Sequence, residues 1–356
     1  MNRISALKYL SVLSLPVLGY ISFTSTGWVT FLPLLEAFFL IPLLELFFIP
    51  NAKNLSETEE EIRKEDSIYD WLVYLVVPVQ ILMVWLFLRS MGDPGLSIVD
   101  KIGRISAMGM LCGVMGINVA HELGHRSKAH EQFFFKIFLF SSLYMHFFIE
   151  HNRGHHKNVS TPEDPSSARK GEMLYAFWFR SVIYSYLSAW KIEQDRLNKK
   201  GEPFISYDNE MMRFQVIQLS LLALIWWQFG WLIMLYFVAA ATIGFLLLET
   251  VNYIEHYGLL RELKGDRYER VMPRHSWNSN HVIGRIVLFE LSRHSDHHYI
   301  ASRKYQILRH INESPQMPTG YPGMMLMATF PPLWFYVMNK RVNNYQLNRS
   351  ETITSN

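Results

Sequence analysis

The chain has almost no cysteine. Its 356 residues contain one, Cys112, which excludes an intramolecular disulfide, a cysteine-rich zinc module and a four-cysteine iron site. Net charge is also nearly absent: 34 Lys and Arg against 31 Asp and Glu leave a formal +3. No basic block stands out, so nucleic acid is not an expected partner. Internal repeats, low-complexity tracts and long linkers are missing too. A 50% hydrophobic content excludes disorder. What the chain does have is long apolar runs and 14 histidines. Its mean hydropathy of +0.06 averages two kinds of sequence: the apolar runs, and polar stretches where most of the histidines sit.

About twenty apolar residues cross the hydrocarbon core of a bilayer. Residues 6–25, 28–49, 70–91 and 103–120 reach about that length, the second despite Glu36 and Glu45. The first run is followed directly by another and by no small-residue cleavage site, so it reads as a span rather than a signal peptide. The longer run, 215–249, reads as a helical hairpin turning at Gln228–Gly230. Residues 132–149 are also long enough to cross, and the positive-inside rule arbitrates. With a cytoplasmic N-terminus, 132–149 held at the interface and 215–249 crossing twice, the outer loops keep only Lys101 and Arg104, with Arg89 near an outer span end. A crossing at 132–149 would instead place His121 and His151 on opposite faces.

The expectation is an all-α integral membrane protein with six transmembrane helices and a cytoplasmic, histidine-rich catalytic portion. It divides into residues 1–120 with four spans, 121–214 on the cytoplasmic side, the hairpin at 215–250, and cytoplasmic residues 251–356. Residues 323–338 are expected at the interface as well, any helix there being broken by Pro331 and Pro332.

Four clusters hold nine of the 14 histidines. They are His121-Glu-Leu-Gly-His125, Glu150-His151-Asn-Arg-Gly-His155-His156, Asn252-Tyr-Ile-Glu-His256, and Arg293-His294-Ser-Asp-His297-His298. Residues four apart share a helix face. That spacing relates His121 to His125, His151 to His155 and His294 to His298, with His297 three after His294, so each cluster is expected to aim its rings at one point. Metal-bound imidazoles usually donate their second N–H to a carboxylate or carbonyl. Glu122, Glu150, Glu255 and Asp296 each adjoin a histidine, and Glu249, Asn252 and His256 share a helical face; these acids and the amide are candidate supports for the ligands. Nine imidazoles exceed one metal's needs. Two ions with four or five each would use them, and iron, which takes five or six ligands and still keeps a place for oxygen, fits that count better than zinc.

His130, His146, His275, His281 and His310 read as interfacial or hydrogen-bonded residues, and Cys112 as a small core residue. His121-Glu122-x-x-His125 also matches the zinc-protease pattern, in which the Glu is the general base. A protease needs one further ligand, which would leave the other clusters without a task. A metal transporter would spread ligands across the bilayer, whereas these gather at one face.

The motifs HELGHR (121–126), FFIEHNRGHH followed by TPEDPSSAR (147–169), NYIEHYGLLR (252–261), HSWNSN (275–280), LSRHSDHH (291–298) and ESPQMPTGYPGM (313–324) resemble, in order and spacing, those of the membrane alkane 1-monooxygenases of the desaturase–hydroxylase superfamily. The resemblance runs from about residue 30 to 342. It is weaker to the xylene monooxygenase branch, and the NYIEHYGL and RHSDHH boxes separate the chain from the fatty-acid desaturases.

The resemblance implies a six-helix bundle and a histidine-only di-iron centre facing the cytoplasm of a bacterial inner membrane. The ligands would be His121, His125, His151, His155, His156, His256, His294, His297 and His298. It further implies O2-dependent terminal hydroxylation of n-alkanes with electrons from rubredoxin and its reductase. Rubredoxin holds iron with four cysteines, so the donor is expected as a separate protein. A hydroxylase of fatty acids, alkyl ethers or alkyl-aromatic methyls would share every box. An alkane offers no charge or leaving group, so the metal must do the hard chemistry while the protein positions the chain and excludes water. A lipid-soluble substrate calls for an apolar channel, with spans two and four as its expected walls.

Overall fold

The computed structural model describes residues 4–354 and is almost entirely helical. Among the described residues, five helices are long and apolar enough to cross a membrane: α1 (Ser5–Thr24), α2 (Gly27–Glu45), and three longer ones at Ile68–Ser90, Ile98–Gly124 and Trp231–His256. With the short helix Glu57–Glu65 as α3, the first two of those longer ones are α4 and α5. Next come α6 (Ala129–Ser141), an irregular helical stretch α7 over 147–158, α8 (Leu174–Lys200) and α9 (Glu210–Phe229). Helix α10 is Trp231–His256. The polar remainder carries a two-stranded hairpin (β1 Leu263–Lys264, β2 Arg267–Tyr268) and the helices α11 (Val282–Val287), α12 (His294–Tyr299), α13 (Tyr321–Ala328) and α14 (Pro331–Thr354).

Chain direction follows from polar contacts at the helix ends. Lys8, in the first turns of α1, pairs with Glu290, and Glu45, at the end of α2, accepts the N–H of Gly284 at 2.9 Å. Asp70, at the start of α4, pairs with Arg126, just beyond α5. All these contacts lie at the histidine end of the molecule. At the other end, Arg104 of α5 donates to the carbonyls of Ser25 (2.8 Å) and Ser90 (2.7 Å), closing the ends of α1 and α4. Helices α5 and α10 therefore run the same way, and both finish at the histidines.

These two helices cross closely because small residues line the contact. A Cβ on Gly109 would fall 2.5 Å from Ile243, and one on Gly244 would fall 2.5 Å from Cys112. Cys112 is fully buried there, as the small core residue expected of it.

Two helix ends differ from expectation. Helix α5 continues past residue 120 to Gly124, and α10 past 250 to His256, so the first and third histidine clusters lie in the last turns of apolar helices. Helix α6 is 13 residues, too short to cross. The 215–249 run is broken at Gly230, whose φ of +89° suits glycine. Pro331 and Pro332 do interrupt the 323–338 segment, but they also open α14, since proline is well suited to a helix's first turn.

Candidate metal centre

The nine clustered histidines converge, and they sort into two groups. His121, His125, His151, His156 and His297 form one; His155, His256, His294 and His298 form the other. Within each group the candidate ligand atoms lie within 4.8 Å of one another. The groups adjoin: the rings of His156 and His298 stack at 4.4 Å.

The sorting corrects the expectation that each cluster aims at one point. His151–His155 is wound as a π-helix, in which residues five apart, rather than four, align. His151 and His156 thus share a group, with Nε2 atoms 3.1 Å apart, while His155 turns to the other. The fourth cluster divides as well, His294 and His298 keeping the four-residue spacing and His297 joining the first group. His121 and His125 stay together as expected.

Seven of the nine rings are buried, and His125 and His156 are half-buried. Burial, with repulsion among the rings, holds His125 down at about 3 and His151, His156, His294, His297 and His298 well below the ordinary imidazole range. Neutral imidazoles keep the lone pair a metal needs. Nε2 of His155, His297 and His298 is buried without a hydrogen-bond partner, which is costly unless something else binds it. The donor set, nine nitrogens in two groups, fits two imidazole-favouring ions of the zinc, copper, iron or nickel class.

Of the six candidate supports, only Glu255 touches a ring. Its Oε2 lies 3.2 Å from His294 Nε2 and its Oε1 accepts from Tyr321 Oη at 2.6 Å. The others bind elsewhere. Glu122 accepts from Arg126 at 2.8 Å and from the N–H of Tyr305. Asp296 is taken by Arg309 at 3.0 Å and Arg303 at 3.3 Å. Glu249 accepts from Tyr144 and Asn252. Glu150 is buried, with Oε1 unpartnered; burial and the charges of Asp164 and Glu249 push its carboxyl well up. Sequence adjacency misleads here because neighbouring helical residues point about 100° apart.

Sequence reasoning missed Asp164, which does hold a ring: its Oδ2 lies 2.9 Å from His155 Nδ1 and accepts from Ser167 Oγ at 2.5 Å. Burial pushes the Asp164 carboxyl up, but His155 and these hydrogen bonds keep it below its ordinary value. The available signal was an acid between Pro162 and Pro165, followed by two serines that cap its turn. His256 Nδ1 faces the carbonyl of His275 at 3.5 Å.

Four of the five remaining histidines are hydrogen-bonded: His130 to Tyr74, His275 to Glu269, His281 to Ser279, and His310 to Asn280 and Asn312. His146 is the exception, packed between the rings of Tyr144 and Tyr186 with Nε2 unpartnered.

An apolar cavity reaches this centre. Phe38 and Ile41 of α2, Met110 and Val114 of α5, and Leu247 and Val251 of α10 are among its walls, and His121, His294 and Glu255 lie at its inner end. Spans two and four do line it; α10 was not expected to.

Residues 103–327 match the fatty acid desaturase family. An alkane 1-monooxygenase of Pseudomonas aeruginosa is 43% identical over 317 residues, covering 88% of this chain and 83% of its own length. One of Pseudomonas putida is 38% identical over 346 residues, covering 95% and 86%. The hydroxylase component of a xylene/toluene monooxygenase from Pseudomonas putida is 27% identical over 274 residues, covering 76% and 73%.

Proposed function

Because the chain belongs to the fatty acid desaturase family and, within it, to the alkane 1-monooxygenases, we propose that it hydroxylates the terminal methyl of medium- to long-chain n-alkanes. The observation that carries this reading is the placement of two histidine groups at the inner end of an apolar cavity. The reaction takes O2, two electrons and two protons. One oxygen atom enters the primary alcohol and the other leaves as water.

His121, His125, His151, His156 and His297 would hold one iron, and His155, His256, His294 and His298 the other. Two irons bound there would supply the redox chemistry that activates O2. The protein's own share is position, dryness and protons. The cavity walls hold a hydrocarbon by apolar burial, so its reacting methyl is the end that meets His121 and His294. Asn118, Asn252 and the Glu255–Tyr321 pair are the polar side chains there besides the histidines. Tyr321 Oη, donating to Glu255 Oε1, is the hydroxyl placed to pass a proton inward. Asp164 fixes His155 with Nε2 free for metal.

The reading includes a sixth crossing and a cytoplasmic site. Helix α9 starts at Glu210, which pairs with Arg153 and Lys136 near the histidines. It ends at the Gly230 turn, from which α10 runs back to His256. Helix α9 is thus the return path that α10 requires. Exposed Trp226, Trp227 and Trp231 cluster at the turn, as anchors at a membrane surface do. The positive-inside count supports a cytoplasmic histidine end; we read the membrane as a bacterial inner membrane, on whose cytoplasmic side rubredoxin and its reductase would supply electrons.

The test is metal analysis with octane turnover by the purified protein, rubredoxin and reductase. About two irons per chain and 1-octanol are expected, from the two ligand groups. Zinc with no alcohol would overturn the assignment.

A further inference from the structure

A second concentration of charge lies outside the histidine centre. Five cationic side chains, Lys8, Lys53, Arg63, Arg285 and Arg293, line one cleft. It forms where the start of α1, the 51–63 segment and the turn before α12 meet. Only Glu59 and Glu290 accompany them, so five cations face two carboxylates. Glu290, 3% exposed, is already divided. Its Oε1 takes Lys8 Nζ at 3.2 Å and Tyr9 Oη at 2.7 Å, and its Oε2 takes Arg285 Nε at 2.7 Å. Burial pushes this carboxyl up, yet Arg285, Lys8 and Arg293 hold it down at about 2. Arg293, also 3% exposed, donates to the carbonyls of Leu308 and Lys53, and its Nε has no partner. The buried Nε of Arg63 has none either.

Positive charge withdrawn from water is costly unless an anion meets it. Arginine's planar fork matches phosphate oxygens. Lys8 belongs to the first turns of a helix long and apolar enough to cross a membrane, so the cleft lies at the depth where basic pockets between spans take acidic headgroups.

We propose that this cleft binds a phosphate group, supplied at the membrane by the headgroup of an anionic phospholipid. The site does not depend on the reaction assigned above; only the lipid source rests on the membrane reading. Its position bears on the metal centre. Phe289 and Glu290, neither a glycine, both adopt left-handed backbone, with φ of 50° and 58°. The ion pairs of Glu290 hold that strained turn four residues before His294. An anion that neutralises the excess charge stiffens the turn from which the fourth histidine cluster starts.

The experiment follows the Tm of the full chain in detergent with added dioctanoyl phosphatidylglycerol, dioctanoyl phosphatidylcholine, inorganic phosphate, or sodium chloride at matched ionic strength. Phosphatidylglycerol is expected to raise Tm, with half-saturation at least about tenfold tighter than for the zwitterionic lipid. The double variant Lys53→Gln, Arg63→Gln should weaken that half-saturation by at least about tenfold, with alcohol formation in lipid-free detergent unchanged. Should the double variant not fold, Lys53→Gln alone, at an exposed position, is expected to weaken it about fivefold. A rise with inorganic phosphate but not with chloride supports the phosphate site and assigns it to the soluble ion. Equal responses to the two lipids, a response shared with chloride, no response at all, or unchanged half-saturation in the variants overturns the proposal.

Discussion

The two histidine groups are built differently. In the five-histidine group, ring faces ring: His125 and His151 meet at 3.1 Å, as do His151 and His156. No carboxylate hydrogen-bonds to any ring of this group among the described residues. In the four-histidine group, three rings have an oxygen beside them: Asp164 at His155, Glu255 at His294, and the carbonyl of His275 at His256. Carboxylates that grip an imidazole fix its tautomer and raise its basicity. His155 is therefore the preorganised ring, since Asp164 holds its Nδ1 and leaves Nε2 free, whereas Glu255 lies against His294 Nε2, the nitrogen that also faces His256; the five-histidine group has more imidazoles and no carboxylate on any of them. The cavity touches both, through His121 and His294.

The bluntest way to break this comparison is to remove one ligand from each group. His155→Ala and His297→Ala should each abolish alcohol formation, and each should lose about one iron per chain, from different groups. Full activity in either variant would remove that position from the centre. Loss of both irons in either would show one cooperative site rather than two.

Next in size is proton supply. Tyr321→Phe keeps the ring and removes the hydroxyl that donates to Glu255. Turnover should fall about 10²-fold with iron content unchanged. A loss of iron instead would make Tyr321 a support for Glu255 rather than a proton donor.

The carboxylates sharpen the comparison further. Asp164→Asn should weaken metal binding by about 10–100-fold, through the four-histidine group. Asp296→Asn should leave metal affinity nearly unchanged, because Asp296 serves Arg303 and Arg309. It should instead lower stability, by leaving the half-buried Arg303 and Arg309 short of a partner. Titrating metal and following Tm in both variants separates the two roles.

Metal removal exposes the histidines to protons. The unfolded chain binds protons below about pH 6.5, whereas His125 in the folded protein does so only at about 3. Between those values the unfolded state holds more protons, so stability falls as pH falls. Chelator-stripped protein should lose stability steadily from pH 7 toward 5, by up to about 1.4 kcal/mol per pH unit for each such histidine, read as a falling Tm. A Tm flat across that range would mean the rings are not buried and neutral.

Apolar length and histidine spacing were enough to locate all five helices that are long and apolar enough to cross, and all nine clustered histidines. They did not reveal which ring joins which group. That depends on a π-helical winding at His151–His155, a local change in pitch that spacing rules built on 3.6 residues per turn do not contain. Asp164 was hidden for a different reason: it reaches His155 through a folded loop, not along a helix face. Glu255 was legible because its cluster ends a long regular helix. The third wall of the cavity was missed because α10 meets α5 through glycines far apart in sequence.

The smallest expected effect bounds the comparison from outside. His310 lies on the histidine side of the fold but belongs to neither group. Its Nδ1 accepts from Asn280 at 3.0 Å and its Nε2 meets Asn312 at 3.1 Å, so both ring nitrogens are occupied by amides. His130 stands against Tyr74 at 3.2 Å, with Phe134 beside its ring. Gln replacements at either position keep a polar side chain of similar reach, so iron content and alcohol formation should match the parent protein. Surface hydrogen bonds of this kind carry about 1 kcal/mol or less, so Tm should move only slightly. A variant at His130 or His310 that lost iron would place a tenth imidazole in the centre, and the division into five and four would have to be redrawn around it.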